Sequence, residues 1–503
     1  MVMTMLFPKE ERLLLGAGII ILLCIPVGVL SLVSNSLTLL NYGQIRIPGR
    51  EYSSSTFTYR IFQNSTSTYR INSTGFVDDH YGDPAVVINN AMLSCSSKGG
   101  GLVYVAPDTY NTTKPIGYSG GSGTKISNVI LYLGDGTIIN RTAGTGEGDF
   151  MFVIRDSNLW VGVFNFTLTS NGTAYFNGNG YSDGFNLATA LNCTVQNVTI
   201  QHTAGVGVSI SRARYCHFEN ISVFSWDESV YGGAGFGSTD IAYSTFKNIT
   251  LDGNNNPDTR GAFYFGDWDP TSDGTWNGSY FNTVEKLWCK NFRRSGIYLN
   301  SGAFGWQVYN NTFTNCTIEN QWERAYDAIK LRPCQNCTFT DIVIRNCTDP
   351  VTTGTSYDGS ETRGNCTGNS VTATIYDSTW TSFILTTDGN NQSVDHNFFN
   401  FTIINSRGTY FSSGTNSPIH DNICYLNMTN SGGLSFESGY IQNNMFVMNF
   451  LNCGVDGHAD IRFPSPLDPR IANNLIYILS ESGNPHGQLE GSLGTNQIIN
   501  GPP

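Results

Sequence analysis

NCTVQNVTI (Asn192–Ile200) and YCHFENISV (Tyr215–Val223) share one frame. In each, an asparagine (Asn197, Asn220) precedes an apolar residue and then a hydroxyl residue, within a run of alternating apolar positions. Aligned on that asparagine, further copies emerge: VFNFTL at Asn165, TFKNITL at Asn248, TFTNCTI at Asn315, TFTDIVI at Asp341, FFNFTII at Asn400 and YLNMT at Asn427. Successive spacings are 32, 23, 28, 67, 26, 59 and 27 residues, and degenerate copies near Lys286 (TVEKLWC) and Val371 (NSVTATI) divide the two long gaps. A period of roughly 22 to 38 residues is the coil length of a parallel β-solenoid.

A second strand precedes many of the copies: DGFNL (Asp183–Leu187), VGVSI (Val206–Ile210), GAFYF (Gly261–Phe265), SGIYL (Ser295–Leu299) and DAIKL (Asp327–Leu331). Their alternation is that of a strand with one buried face. Stacked coils bring equivalent positions about 4.8 Å apart, so an asparagine at one turn of every coil can pass amide hydrogen bonds along the stack and tolerate the left-handed conformation of a tight turn. Of 19 glycosylation sequons, seven (Asn165, Asn197, Asn220, Asn248, Asn315, Asn400, Asn427) occupy this expected ladder. The others have no assigned repeat role. Among these, Asn64, Asn72, Asn111, Asn171, Asn277 and Asn391 are read as glycosylation candidates.

Composition supports an exported, β-rich chain. Only 13% of the 503 residues are charged, while 55 are glycine and 13% aromatic. The formal net charge is −12 and no basic run occurs, so the electrostatic footprint of a nucleic-acid binder is missing. Leu13–Val33 (LLLGAGIIILLCIPVGVLSLV) is uncharged and long enough, at about 1.5 Å per residue, to cross a bilayer as a helix. Lys9 and Arg12 before it favour a cytoplasmic N-terminus, and SNS at Ser34–Ser36 leaves a cleaved signal peptide as the alternative. Either way the remainder is expected outside the cell, membrane-anchored or secreted.

Twelve cysteines include Cys24 in the apolar segment. Cys193, Cys216 and Cys337 each lie four residues before a ladder position, so Cys193 and Cys216 on adjacent coils are either a disulfide or a stacked pair of free thiols. CQNC (Cys334, Cys337), with Cys347 and Cys366, has irregular spacing for zinc, and export favours disulfides or packing.

The stretch GFVDDHYGDPAVVINNAMLSCSSKGGGLVYVAPDTYNTTKPI (Gly75–Ile116), followed by GDGTII (Gly134–Ile139), resembles the opening segment of the pectate lyase-like right-handed β-helix superfamily. Asp78, Asp79, Gly100, Gly101, Val103, Pro107 and Tyr110 match its pattern, and Asp108 stands where glycine is usual. The resemblance implies an all-β fold, a single right-handed parallel β-helix with a short N-terminal capping helix, here preceded by one transmembrane helix. The expected domains are 1–35 (anchor or signal), 36–74 (a Ser/Thr/Asn-rich stalk), 75–480 (β-helix) and 481–503 (tail). It also implies polysaccharide as the partner class, a groove along one face, and an oligomer as an option. In polygalacturonase-like members, aspartates precede two successive strands and a histidine follows. Asp183 matches the first, but Ala204 and Gly205 stand at the second and GGAGFGS supplies no histidine, so that triad is absent in its usual register.

Charged residues and tryptophans gather instead in loops closing successive coils: Trp226, Asp227 and Glu228; Asp258 and Arg260; Asp267, Trp268 and Asp269; Arg293 and Arg294; Trp322, Glu323, Arg324 and Asp327. Carboxylates beside indole rings suit sugar recognition. Expected chemistry falls on Asp227, Glu228, Arg294, Glu323, Asp327 and Lys330, with Arg332 as a further base, and expected substrate contacts on Trp226, Trp268, Trp322, Arg260 and Tyr298. DGNNNPD places Asp252 and Asp258 at a spacing suited to Ca²⁺, although Pro257 replaces the glycine of an EF-hand turn. The seven histidines form no pair with ligand spacing. Two functions follow: a membrane-anchored surface protein that binds carbohydrate, as adhesin or envelope component, or alternatively a lyase or glycoside hydrolase acting on an acidic polysaccharide.

Overall fold

The computed structural model describes residues 58–500 apart from short stretches, the longest being 157–162, 227–233, 267–277, 302–307, 355–364, 454–460 and 483–488. The expected transmembrane or signal segment lies outside the described residues. Among the described residues, no helix is long and apolar enough to cross a membrane.

The described strands fall into three sheets of 22, 15 and 7 strands. Apart from three antiparallel N-terminal strands, Tyr59–Asn64, Ser67–Asn72 and Val77–Tyr81, every strand pairing among the described residues is parallel: Ser182–Leu191 pairs with Val208–Arg214, which pairs with Ala234–Ala242, while Thr194–Thr203, His217–Trp226 and Thr245–Asp252 form the next wall. The chain therefore winds, each coil contributing a strand to successive walls. Corners are marked by residues at positive φ, most of them not glycine, in columns that follow the pairing register. One such column runs Asn128, Asn165, Asn192, Tyr215, Tyr243, Phe281, Asn310, Asn336, Gly368, His396, Asp421, Asn443 and Asn473. Its steps range from 22 residues (Asp421 to Asn443) to 38 (Tyr243 to Phe281). Left-handed backbone costs an ordinary residue about 1 kcal/mol, which is why asparagine dominates. Where aromatics intrude they stack, Tyr215 on Tyr243 at 5.2 Å and Tyr243 on Phe281 at 5.3 Å. Such a pair contributes about 0.5–1.5 kcal/mol and offsets the strain.

Inside, like sits on like. Phe218 and Phe246 lie in register and stack at 5.0 Å, as Phe313 and Phe339 do at 4.6 Å. A second, polar column lies just inside the first corner column. Asn369, Asn397, Asn422, Asn444, Asn474 and Asn496 are all buried. Each of the first five donates its backbone N–H and its side-chain Nδ2 to Oδ1 of the asparagine on the next coil, at 2.8–3.1 Å. The same Nδ2 reaches a carbonyl of the preceding coil, as Asn422 does to Val394 at 2.8 Å. Toward the N-terminus the column continues as Cys337, Asn311, Asn282, Ser244, Cys216 and Cys193.

The expected asparagine ladder is corrected in register. Asn197, Asn220, Asn248 and Asn315 share one positive-φ column with Lys286 and Asp341, and Asn248 donates to Asn220 and Asn220 to Asn197, each at 2.9 Å. Asn165 belongs to the corner column beside it and donates to Asn128 at 2.9 Å. Asn400 and Asn427 sit in mid-strand and face outward, because the backbone runs through that bend without a turn after Asp341.

Two boundaries also move. The described part of the expected stalk, Tyr59–Asn64 and Ser67–Asn72, is an antiparallel hairpin whose first strand pairs in parallel with Gly101–Val105. The expected tail contributes Gln497–Asn500, paired with Leu475–Ser482, so coils continue past 480. Helix α1 (Pro84–Ser97) is the expected cap: Asp83 accepts the Ala85 N–H, Pro84 opens the first turn, and Val87, Ile88, Ala91, Met92 and Cys95 turn inward over the first coil.

Candidate functional site

The outer face of the 15-stranded sheet carries one register line through Tyr264, Tyr298, Lys330 and Thr352 on four consecutive coils. Outward residues of a parallel sheet with one solvent face are normally exposed. Here Lys330 is only 9% exposed, Arg332 6% and Asp327 4%. The Tyr264 and Tyr298 rings lie 5.3 Å apart, and the Arg332 guanidinium sits 5.2 Å and the Lys330 ammonium 5.9 Å from the Tyr298 ring centre. Asp327 Oδ2 is 3.4 Å from Lys330 Nζ, and the Thr352 hydroxyl donates to Asp327 Oδ1. Burial pushes the Asp327 carboxyl above the usual carboxylate range, against the opposing pull of Lys330, Thr352 and Arg332. Asp349 occupies the position in register with Asp327 one coil on and accepts from the Thr381 hydroxyl at 2.7 Å. Two carboxyl groups, two cations and two tyrosine rings thus meet on one face.

Beside this cluster, Glu323 binds Arg293 through Oε1 at 2.8 Å and Arg294 through Oε2 at 2.9 Å. The Arg293 guanidinium lies 5.9 Å from the Trp322 ring centre, and Trp322 is 44% exposed. Expected contacts at Tyr298 and Trp322 are therefore on or beside the cluster. Arg294 and Glu323, expected as separate catalytic groups, neutralise each other across adjacent coils. Trp226 is a correction: it is fully buried, and a Cβ on Gly235 would stand 3.0 Å from its ring, so it fills the core and offers no face to a sugar. Asp227, Glu228, Asp258, Arg260, Asp267, Trp268, Asp269 and Arg324 lie outside the described residues.

The expected calcium ligand Asp252 has its oxygens engaged by protein groups: Lys290 Nζ at 3.1 Å, the Asn254 N–H at 2.9 Å and Asn291 Nδ2 at 3.0 Å. It caps a turn. Among the described residues no group of three or more His, Cys, Asp or Glu is placed to hold a metal ion. The eleven described cysteines are all free and buried, so Cys193 and Cys216 form the stacked thiol pair of the two alternatives.

Spacing along the chain concealed one polar cluster. Asp395 is in register with His420, and His396 and Asp421 follow them on the same two coils. Asp395 Oδ1 meets His396 Nδ1 at 2.9 Å, Asp421 Oδ2 meets His420 Nδ1 at 2.7 Å, and the imidazole centres are 6.1 Å apart. Hydrogen bonds from Ser393, Thr367 and His396 hold the Asp395 carboxyl below its ordinary range despite its burial, and Asp395 in turn raises His396. The signal was present as Asp-His and His-Asp dipeptides one coil apart, visible only once coil length is applied to histidines.

Residues 183–373 match the family model of a right-handed β-helix region. This chain is a right-handed parallel β-helix. One solved structure agrees on the fold at low identity. The β-helix is 13% identical to the catalytic domain of a GH87 α-1,3-glucanase variant in complex with tetrasaccharides, covering 87% of this chain and 70% of that one with a TM-score of 0.50. It is 12% identical to a family 28 exopolygalacturonase of Yersinia enterocolitica (87% and 83% covered, TM-score 0.45) and 13% identical to a tailspike protein variant of E. coli bacteriophage HK620 (83% and 76%, TM-score 0.46). No curated protein sequence matches the chain.

Proposed function

We propose that this β-helix is a cell-surface protein that binds carbohydrate on the outer face of its 15-stranded sheet, with the apolar segment 13–33 as its membrane anchor and the coils outside the cell. The observation that carries the reading is the convergence of Tyr264, Tyr298, Lys330, Arg332, Asp327 and Asp349 on neighbouring coils of one face. Tyrosine rings cover the apolar face of a pyranose, while carboxylates and cations bind its hydroxyl or carboxylate groups. The tetrasaccharides bound to the α-1,3-glucanase of similar fold make oligosaccharides the first ligands to try. Titrating the purified ectodomain with a panel of neutral and uronic-acid oligosaccharides tests the reading. Binding lost in Tyr298→Ala and Lys330→Ala supports it, and binding indifferent to both variants sinks it.

A second reading, polysaccharide cleavage, draws on the Asp327 carboxyl. A buried acid that keeps its proton to higher pH is suited to donate it to a leaving glycosidic oxygen, and a second carboxyl nearby is the other requirement of a hydrolase. New reducing ends, or the absorbance of an unsaturated product, that disappear in Asp327→Asn would favour this reading over binding alone.

A further inference from the structure

We propose that Asn400 and Asn427 carry N-linked glycans, and that the ring two residues before each, Phe398 and Tyr425, supports the first sugar. The strands Phe398–Ile404 and Ile423–Thr429 are parallel neighbours in the 22-stranded sheet. Both alternate strictly, with Phe398, Asn400, Ile423, Tyr425 and Asn427 exposed between fully or nearly buried residues. The sequon places its hydroxyl two residues after the asparagine, which on a strand is the same face. FFNFT and YLNMT therefore each present aromatic, amide and threonine in one outward row.

The two asparagines differ from Asn197, Asn220 and Asn248 in what their amides do. Asn220 and Asn248 spend their Nδ2 groups on neighbouring coils. Among the described residues, Asn400 and Asn427 have no hydrogen-bond partner for theirs, and their nitrogens are open to modification. Register adds a further match. Tyr425 lies beside Asn400, Asn427 lies beside Thr402, and the Phe398 and Tyr425 rings are 5.6 Å apart. The strands carry no charged residue, and Phe398, Ile423 and Tyr425 are 37%, 36% and 37% exposed. A pyranose laid over an aromatic ring buries its own apolar face and that of the ring.

The chemistry needs a donor of one class, a lipid-pyrophosphate-linked oligosaccharide. The amide Nδ2 forms a bond to the anomeric carbon, the carbon–oxygen bond to pyrophosphate breaks with its electron pair leaving on the lipid pyrophosphate, and one amide proton passes to a base. No oxidation or reduction occurs. The proposal rests on the export reading but not on the ligand face, so the test makes entry into the secretory pathway independent of residues 13–33.

The full chain, placed behind a cleavable secretion leader, is expressed in a glycosylating eukaryotic cell. Lumenal and secreted pools are treated with amidase in heavy-oxygen water and mapped by peptide mass. Label at both Asn400 and Asn427 is expected, with Thr402→Ala and Thr429→Ala each removing one glycan and Thr402→Ser retaining it. Unlabelled Asn400 and Asn427 in either pool overturn the proposal. For the rings, enzymatic deglycosylation should lower the melting temperature of the wild type and leave that of Phe398→Ala/Tyr425→Ala unchanged. An equal shift in both would show that the sugars do not rest on the rings.

Discussion

Two asparagine columns run along this β-helix, and they do different work. The buried column from Asn369 to Asn496 hydrogen-bonds through backbone and side chain in the dry interior. The column of Asn197, Asn220 and Asn248 takes up left-handed corners at the surface and passes a single amide bond per coil. The same side chain is required in the first place for its donors and acceptors, and in the second for its backbone conformation. In the interior a lost partner leaves groups that water cannot reach; at the corner water replaces the partner.

That difference sets the order of effects. Asn422→Leu should be the most severe, since it strips the Asn397 N–H and amide of their acceptor and the Val394 carbonyl of its donor. A loss of about 4 kcal/mol is expected from several orphaned buried groups, and denaturant unfolding together with amide exchange in coils 394–445 would measure it. Asn422→Gly should fare no better. At the corner the comparison inverts: Asn220→Ala should cost about 1–2 kcal/mol and Asn220→Gly less than about 0.5, because glycine adopts the left-handed conformation freely. If glycine rescued Asn422, or failed to rescue Asn220, the division between the columns would collapse.

The charged face offers a pH test. The Asp327 carboxyl has a raised pKa when folded, so the stability it contributes is complete below the ordinary carboxylate range and is lost as pH rises through the raised value. Asp327→Asn should therefore flatten the fall in stability across that window, as read by melting temperature against pH. The smallest effect belongs to the partly buried pair of Asp252 and Lys290, with side chains 14% and 25% exposed. Lys290→Met should cost no more than about 1 kcal/mol and should lose what difference it makes in high salt.

Much of the architecture was legible before any coordinates. Repeating asparagines, β-period strands and the capping segment specify stacked coils, and the structure has them. The register was less legible, because asparagine is favoured at every left-handed corner and each coil has several. Asn165, Asn197 and Asn400 look alike in sequence and sit respectively in one corner column, in the next, and in an extended strand. The buried ladder escaped notice because Asn369, Asn422 and Asn474 lack the hydroxyl two residues on that made the sequons conspicuous. The site was legible in part. Tyr298, Asp327 and Lys330, expected as separate contacts, lie together on one face, but Trp226 reads as a surface ring and is buried, because tryptophan after a strand reads the same whether it turns in or out.

By itself, the sequence determined that this chain winds into coils of two to three dozen residues. Strand period, turn chemistry and apolar spacing are local properties, and they repeat. Only the tertiary structure decided which asparagines are dry, which carboxyl loses its water and which sequons keep a free amide. Those depend on what the neighbouring coil places some 4.8 Å away, and loops of unequal length shift that neighbour by many residues along the chain.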